Sequence, residues 1–432
     1  MAYAMAAAAI ALAVVVRPPV LRSDFRWIDV ALVLYVTMMA LQLVPLSPRM
    51  RLSLSPATRI VDLQLRIDAP RNPLDDSPRA LTVDGDSTMQ SVWLAATVVL
   101  TFWCARALIA RGGIRVGARG IAALGLAAAV FGIAQHATAP HSLYWLRTFR
   151  YTEPFGPYLN RSDFAMWMVM SLPLTAGYLL ARMQSRSRDS DRLAAVVFDN
   201  TAMFLTIAIG MMAAALMVGL SRSGLIGAAA AATTLWALSE QRLHRHGRAW
   251  LLAGIGTVVV VALFFANASA VATRIADTLS QGLGGRLPIW RATLPMIKDF
   301  WLTGVGGGGY ERAMIVYQPA PHETYFNHAH NEYLQLLSEG GVLLAIPAVV
   351  ALFAAIRGIR DRLARDRTPI WWVRVGAVSG LAGAAVQSLW ETGLRRPSNT
   401  LLFAVLAAFA LHSAAQPTRR AGDNPAGVRE GQ

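Results

Sequence analysis

The run Asn327-His328-Ala329-His330-Asn331-Glu332 sets two histidines where a long polar loop gives way to an apolar segment carrying Glu339-Gly340-Gly341. Imidazole titrates close to neutrality, so a histidine can take a proton from a hydroxyl group at working pH. Titratable side chains at a water–hydrocarbon boundary are costly to keep and point to function. Upstream lie Arg286, Arg291 and the run Gly304-Val305-Gly306-Gly307-Gly308-Gly309. Guanidinium groups grip phosphate oxygens through two parallel hydrogen bonds and stay charged at any working pH. A base beside such arginines suits a membrane enzyme acting on an anionic substrate.

Other chemistries fit these residues less well. His322, His328 and His330, with Glu323 and Glu332, invite a metal reading, since His-x-His spacing can bind zinc. No cysteine contributes, however, and a third ligand is not defined, so no metal is assigned. The glycine run contains a Gly-x-Gly-x-x-Gly pattern, but no strand precedes it and no Lys-Ser/Thr follows, which argues against nucleotide binding. It is expected to be a flexible turn, with presentation of backbone N–H groups to an anion as the alternative. Glu339 must be paired or wetted within its span. It reads as a supporting residue or as a structural hydrogen-bonding group, beside a glycine pair that lets another helix come close.

The elements that position these groups follow from composition. Of 432 residues, 55% are hydrophobic and 15% charged, and mean hydropathy is +0.42. A soluble domain carries about a quarter charged residues, so the chain is expected to be an all-α polytopic membrane protein. Spans need about 20 mostly apolar residues. Eleven candidates centre near residues 9, 36, 99, 129, 172, 210, 231, 258, 345, 380 and 406. The first is short but lacks a basic start, and Arg17-Pro18-Pro19 is a poor cleavage site, so it reads as a retained helix. Residues 1–415 form one membrane domain, and the polar tail 416–432 is expected to be disordered in the cytoplasm.

Net charge is +15, and Lys298 is the one basic residue that is not arginine. These charges scatter among short loops, which excludes a nucleic-acid partner. The single cysteine, Cys104, leaves no intrachain disulfide framework. Cytoplasmic loops collect arginine, and five connecting segments do so. They are Arg17/Arg22/Arg26, Arg111/Arg115/Arg119, Arg182/Arg186/Arg188/Arg192, Arg242/Arg245/Arg248 and Arg357/Arg360/Arg362/Arg365/Arg367. That puts the N-terminus outside and leaves 47–88, 139–162, the Ser221-Arg222-Ser223-Gly224 turn, 267–331 and 391–398 on the opposite face. The segment 47–88 reads as an ordered or semi-ordered cap. Arg222 and the pair Arg395-Arg396 oppose the charge bias in very short exterior loops. They either snorkel to lipid phosphates or meet an anionic ligand. Leu287, Trp290, Leu294, Ile297 and Trp301 recur at helical steps, as in a helix lying on the membrane surface or packed on the bundle. Arg286 falls just before it and Arg291 on its polar side.

Four ordered pieces resemble the O-antigen ligase and O-antigen polymerase superfamily. They are Gly156-Pro157-Tyr158-Leu159-Asn160-Arg161 with Phe164-Ala165 and Leu172-Pro173-Leu174, then Ser221-Arg222-Ser223-Gly224. Next come Arg286 and Trp290 with Asp299-Phe300-Trp301-Leu302-Thr303-Gly304-Val305-Gly306, and finally His330-Asn331 with Gly341. Together they cover about residues 150–345. The resemblance implies a metal-independent, inverting glycosyltransferase of the C type, without cofactor, in the bacterial inner membrane with its site facing the periplasm. It would move a glycan from undecaprenyl pyrophosphate to a hydroxyl of lipid A–core. By resemblance His330 is the catalytic histidine, and Arg222 and Arg286 hold the pyrophosphate. Arg161, Arg291, His328, Asn331, Glu339, Arg395 and Arg396 are candidates to support them. The same motifs serve polymerases, for which the acceptor is a growing glycan, so that reading stays open. Ligases of this kind usually have twelve spans with both termini inside, against eleven here. A transporter or flippase would need ionisable groups within the spans, where Arg106, His136, Glu339 and Arg374 are few. A scaffold within an envelope assembly is a further alternative.

Overall fold

The computed structural model describes residues 1–21, 25–65, 77–149, 154–189, 199–243, 256, 286–319 and 325–412. Fourteen α-helices in this set are numbered here: α1 Ala2–Val16, α2 Arg26–Leu41, α3 Pro48–Leu54, α4 Thr58–Leu65, α5 Gly85–Leu108, α6 Ile114–Thr138 and α7 Arg161–Asp189. They continue with α8 Asn200–Val218, α9 Arg222–Ser239, α10 Leu287–Asp299, α11 Tyr310–Tyr317, α12 Glu332–Arg365, α13 Trp371–Gln387 and α14 Pro397–Leu411. The only strands among the described residues are β1 Ser142–Leu143 and β2 Arg147–Thr148. The protein is thus an all-α polytopic membrane protein. Ten of the eleven expected spans fall on these helices, and the one near residue 258 lies outside the described residues, as does the tail 416–432.

Among the described residues, four helical runs are long and apolar enough to cross a membrane: Gly85–Thr138, Arg161–Arg186, Asn200–Val218 and Glu332–Arg365. Within the first, Gly112 at φ 97° separates α5 from α6. At the centre of the bundle, α13 packs on α7 and α9 and is buried on nearly every side. Arg106 and Arg374 are each neutralised by a carboxylate, as the cost of burying an isolated charge requires. Arg106 forms a two-pronged pair with Asp29 at 2.9 Å, and Trp103 also donates to that carboxylate.

A second, smaller core lies at one end of the bundle, where Val61, Met296, Phe300, Val305, Tyr310 and Met314 pack together from α4, α10, α11 and the glycine run. The described parts of the cap segment, 47–65 and 77–88, therefore pack against the loop that carries the candidate site. In α10 the buried face is Ile289, Ala292, Thr293 and Met296. Leu287, Leu294 and Trp301, from the stripe read in the sequence, stay exposed, and Trp301 falls beyond the helix end.

Candidate functional site

The glycine run is a packed joint and corrects the expectation of a flexible turn. Val83 N–H donates to Val305 O at 2.9 Å, and Gln42, fully buried, ties three backbone points. Its Nε2 donates to Thr303 O at 2.8 Å and Glu339 O at 3.0 Å, and its Oε1 accepts from Gly307 N–H at 3.1 Å. Gly306 sits at φ 100°, where a Cβ would lie 2.1 Å from Thr82 Oγ1. Glycine is needed there both for conformation and for close approach.

The same loop splices into α12. Gly341, at φ 54° and ψ −156°, breaks that helix in a region that L residues avoid. The backbone groups freed by the break find partners in the loop. Val342 N–H donates to Trp301 O at 2.8 Å and Leu343 N–H to Leu302 O at 3.0 Å, while Val305 and Gly306 N–H donate to Ser338 and Glu339 O at 2.9 and 3.0 Å. A buried backbone must satisfy its hydrogen bonds somewhere, and here helix and loop exchange them. The spacing from His330 to Gly341 thus measures from the start of the helix to the splice.

His330 occupies the corner before α12, in left-handed backbone at φ 46°. That conformation is disfavoured for any residue but glycine and persists where neighbours hold it. The neighbours are specific. Asn331 caps α12, its Oδ1 accepting from Tyr333 and Leu334 N–H at 2.9 and 3.0 Å, while its Nδ2 donates to Leu389 O at 3.0 Å. Trp290 Nε1 donates to Ala329 O at 2.9 Å, and Ala329 N–H donates to Gln335 Oε1 at 2.7 Å. The histidine corner is pinned from α10, α12 and the turn after α13.

Glu391 joins the two leading site residues. Its Oε2 lies 3.4 Å from His330 Nδ1, and its Oε1 accepts from the Arg286 guanidinium. The carboxylate is nearly buried, whereas the side chains of His330 and Arg286 are 33% and 30% exposed. Glu391 was not singled out in the sequence, where it stands 61 residues beyond His330. The available signal was a carboxylate in the same short segment as Arg395-Arg396.

The other candidates fall into separate groups. Glu339 Oε1 accepts from Arg395 at 2.7 Å and from Gln335 at 2.8 Å, and Arg396 donates to Asp163 at 2.7 Å. Arg395 and Arg396 are thus held in ion pairs with protein carboxylates. Arg291 is exposed on α10. Arg161 opens α7, and Arg222 opens α9 after the cap Ser221, whose Oγ accepts from Gly224 N–H at 3.2 Å. Ser221 Oγ also reaches Ser162 Oγ at 3.1 Å, and Ser162 O accepts from Gln387 at 2.9 Å. Since Glu332 N–H donates to Ser388 O at 2.9 Å, the Arg222 turn connects to the histidine corner through the end of α13. His328 Nδ1 is buried without a hydrogen bond, and burial, with Arg395 and Arg396 next, pushes its imidazole down to about 3. Among the described residues no three His, Cys, Asp or Glu side chains gather as metal ligands. His322 and Glu323 lie outside the described residues.

An all-helical membrane protein with an arginine, a carboxylate and a histidine converging beside a helix splice defines the class. Residues 207–349 match the family model described as O-antigen ligase, which places this segment in the O-antigen ligase superfamily. The match contains Arg222, Arg286, His330 and Gly341, and ends before Glu391. No curated protein matches the chain.

Proposed function

We propose that the protein transfers a glycan from undecaprenyl pyrophosphate to a hydroxyl of lipid A–core at the periplasmic face of the bacterial inner membrane. The observation that carries this reading is the convergence of Arg286, Glu391 and His330 from three separate elements. A carboxylate accepting from the imidazole Nδ1–H fixes the tautomer in which Nε2 is the base. His330 Nε2 then takes the proton of the acceptor hydroxyl as its oxygen attacks the anomeric carbon. The bond from that carbon to the pyrophosphate oxygen breaks on the opposite face, giving inversion, and its electron pair leaves with the pyrophosphate. Arg286 and Arg222 hold that growing charge, a contact typically worth about 3–4 kcal/mol. The base contributes on the order of 10²–10⁴ in rate. Pyrophosphate is a good leaving group, so the reaction is written without metal or cofactor.

The test is a transfer assay in EDTA with purified protein, undecaprenyl-pyrophosphate glycan and lipid A–core. Wild type should transfer one glycan to the core, and His330→Ala and Arg286→Ala should fold but not transfer. A ladder of lengthening lipid-linked chains without core modification would move the assignment to a polymerase working through the same site. Full activity in His330→Ala would end the catalytic role of that residue.

A further inference from the structure

Beyond the C-terminal end of α6, β1 and β2 pair antiparallel, and the turn between them holds Tyr144 at φ 54° and Trp145 at φ 58°. Left-handed backbone is disfavoured for L residues, and here two aromatic residues adopt it in succession. Contacts hold both in place. Trp145 Nε1 donates to Thr138 Oγ1 at 2.8 Å, and its ring meets Phe131 edge-on with centroids 5.2 Å apart. Tyr144 OH donates to Pro157 O at 3.3 Å. Strain of this kind collects at working parts of a molecule.

The strained turn sets Trp145 against a groove of about 580 Å³ whose walls include Ala123, Ala127, Val130, Phe131 and Phe204. That volume lies within the range of small-molecule sites, about 300–1,000 Å³. Ala123, Ala127, Val130 and Ala134 recur at helical steps and are all exposed, so the groove is an open channel along α6. Its two helices, α6 and α8, belong to runs long and apolar enough to cross a membrane. All eight residues that line it are apolar, so an occupant gains nothing there by hydrogen bonding. A hydrocarbon chain fits those terms.

The surroundings of Trp145 say what the chain is attached to. Through Tyr144 and Pro157 the hairpin joins the segment that leads to Arg161. Phe155 of that segment packs at a tilt against Phe164 with ring centroids 4.7 Å apart, and Tyr158 OH meets Ser398 Oγ at 2.9 Å. Ser162, next to Arg161, is hydrogen-bonded to Ser221, next to Arg222. The hairpin at one end of the groove is thus tied to the segment that runs into Arg161, and Ser162 ties that segment to the turn of Arg222. A basic segment beside an apolar groove complements an anionic head on a long apolar tail.

We propose that the groove between α6 and α8 holds the hydrocarbon tail of the polyprenyl pyrophosphate donor, with Trp145 packed over the units nearest the head. This inference rests on the reading of Arg222 as a pyrophosphate ligand.

The test uses a diazirine-bearing polyprenyl pyrophosphate without sugar, crosslinked to the full-length protein in lipid nanodiscs and mapped by peptide mass spectrometry. Label should fall on residues 123–134 and Trp145, and Ala127→Trp, which fills the groove from an exposed position, should abolish it. Label confined to other helices overturns the proposal. Equal labelling by a diazirine phosphatidylglycerol at the same mole fraction also overturns it, because the groove would then be a general lipid contact. A change in oligomeric state on Ala127→Trp, without groove label in wild type, overturns it in favour of a subunit interface. Kinetics separate this site from the reaction. Ala127→Trp should raise KM about tenfold, equivalent to about 1.4 kcal/mol, for a long-chain donor, and leave a two-isoprene donor unaffected. Groove labelling in a protein that transfers nothing would uphold the tail site and end the transferase reading.

Discussion

Arg374 and Arg286 each meet a nearly buried carboxylate, and the two pairs are built to different ends. Arg374 and Asp366 are almost completely enclosed and 2.7 Å apart, and the same guanidinium donates to Ala410, His412 and Arg362 carbonyls. One arginine thereby satisfies the last turns of α12 and α14, groups that a helix end leaves without partners. Arg286 meets Glu391 from a side chain open to the surroundings, and Glu391 divides its oxygens between that arginine and His330. The first pair is a clamp whose donors are consumed by the protein. The second keeps a guanidinium and an imidazole accessible around one shared charge. Ion-pair chemistry alone does not mark a functional site. What sets the second pair apart is that one carboxylate serves two partly exposed side chains, a guanidinium and an imidazole.

Substitutions should separate the two pairs. His330→Ala should lower kcat by about 10²–10⁴ with unchanged thermal unfolding; equal loss of rate and fold would reduce the histidine to a packing residue. Arg374→Ala should do the reverse. Breaking a buried pair costs about 3–5 kcal/mol, so folded yield should collapse while activity per folded molecule holds. Gly341→Ala should damage both properties, because a Cβ there would lie 2.6 Å from Leu302 carbonyl atoms in backbone that costs about 1–3 kcal/mol for other residues. Measured Tm and kcat should fall together, and a neutral outcome would mean that the splice does not hold the site. Glu391→Gln keeps hydrogen-bonding capacity but removes the shared charge, and kcat should drop on the order of tenfold, about 1.4 kcal/mol in barrier. A larger fall in donor affinity than in kcat would instead tie Glu391 to Arg286 alone.

The smallest effect concerns acid. His328 is held down to about 3 in the folded chain, whereas an unfolded histidine takes its proton below about 6.5. Between those values the unfolded chain binds the extra proton. The stability contributed by neutral His328 is therefore complete above about pH 6.5 and lost as pH falls toward about 3. Thermal unfolding of wild type should weaken across pH 6.5–4.5, and His328→Leu should flatten that slope. An identical slope in the variant would remove His328 from the acid response.

Hydropathy made the helices legible, because a spanning segment announces itself over some twenty residues. Periodicity located α10 but not the face it buries, since Ile289, Ala292 and Met296 are as apolar as the exposed Leu287 and Leu294. His330 and Arg286 stood out by residue type in the long exterior segment. Glu391 did not, since nothing local ties a carboxylate after α13 to a histidine before α12. The glycine run was misread for a related reason. Gly306 answers to Thr82 and Gly307 to Gln42, contacts that exist only once distant segments meet.

The splice at Gly341 also fixes a distance. A helix rises about 1.5 Å per residue, so the stretch from Glu332, just past the histidine corner, to Gly341 is a rod of about 15 Å, half the roughly 30 Å hydrocarbon thickness of a bilayer. The irregular backbone of Trp301–Gly306 is anchored that far along the helix from the histidine corner. Irregular backbone survives inside a membrane only where protein satisfies its polar groups, and the broken helix does so bond for bond. The segment Trp301–Gly309 is therefore a keel seated against the broken helix, and it cannot swing aside as a gate while that seating lasts. In the transfer proposed above, substrates would reach the histidine by moving around it.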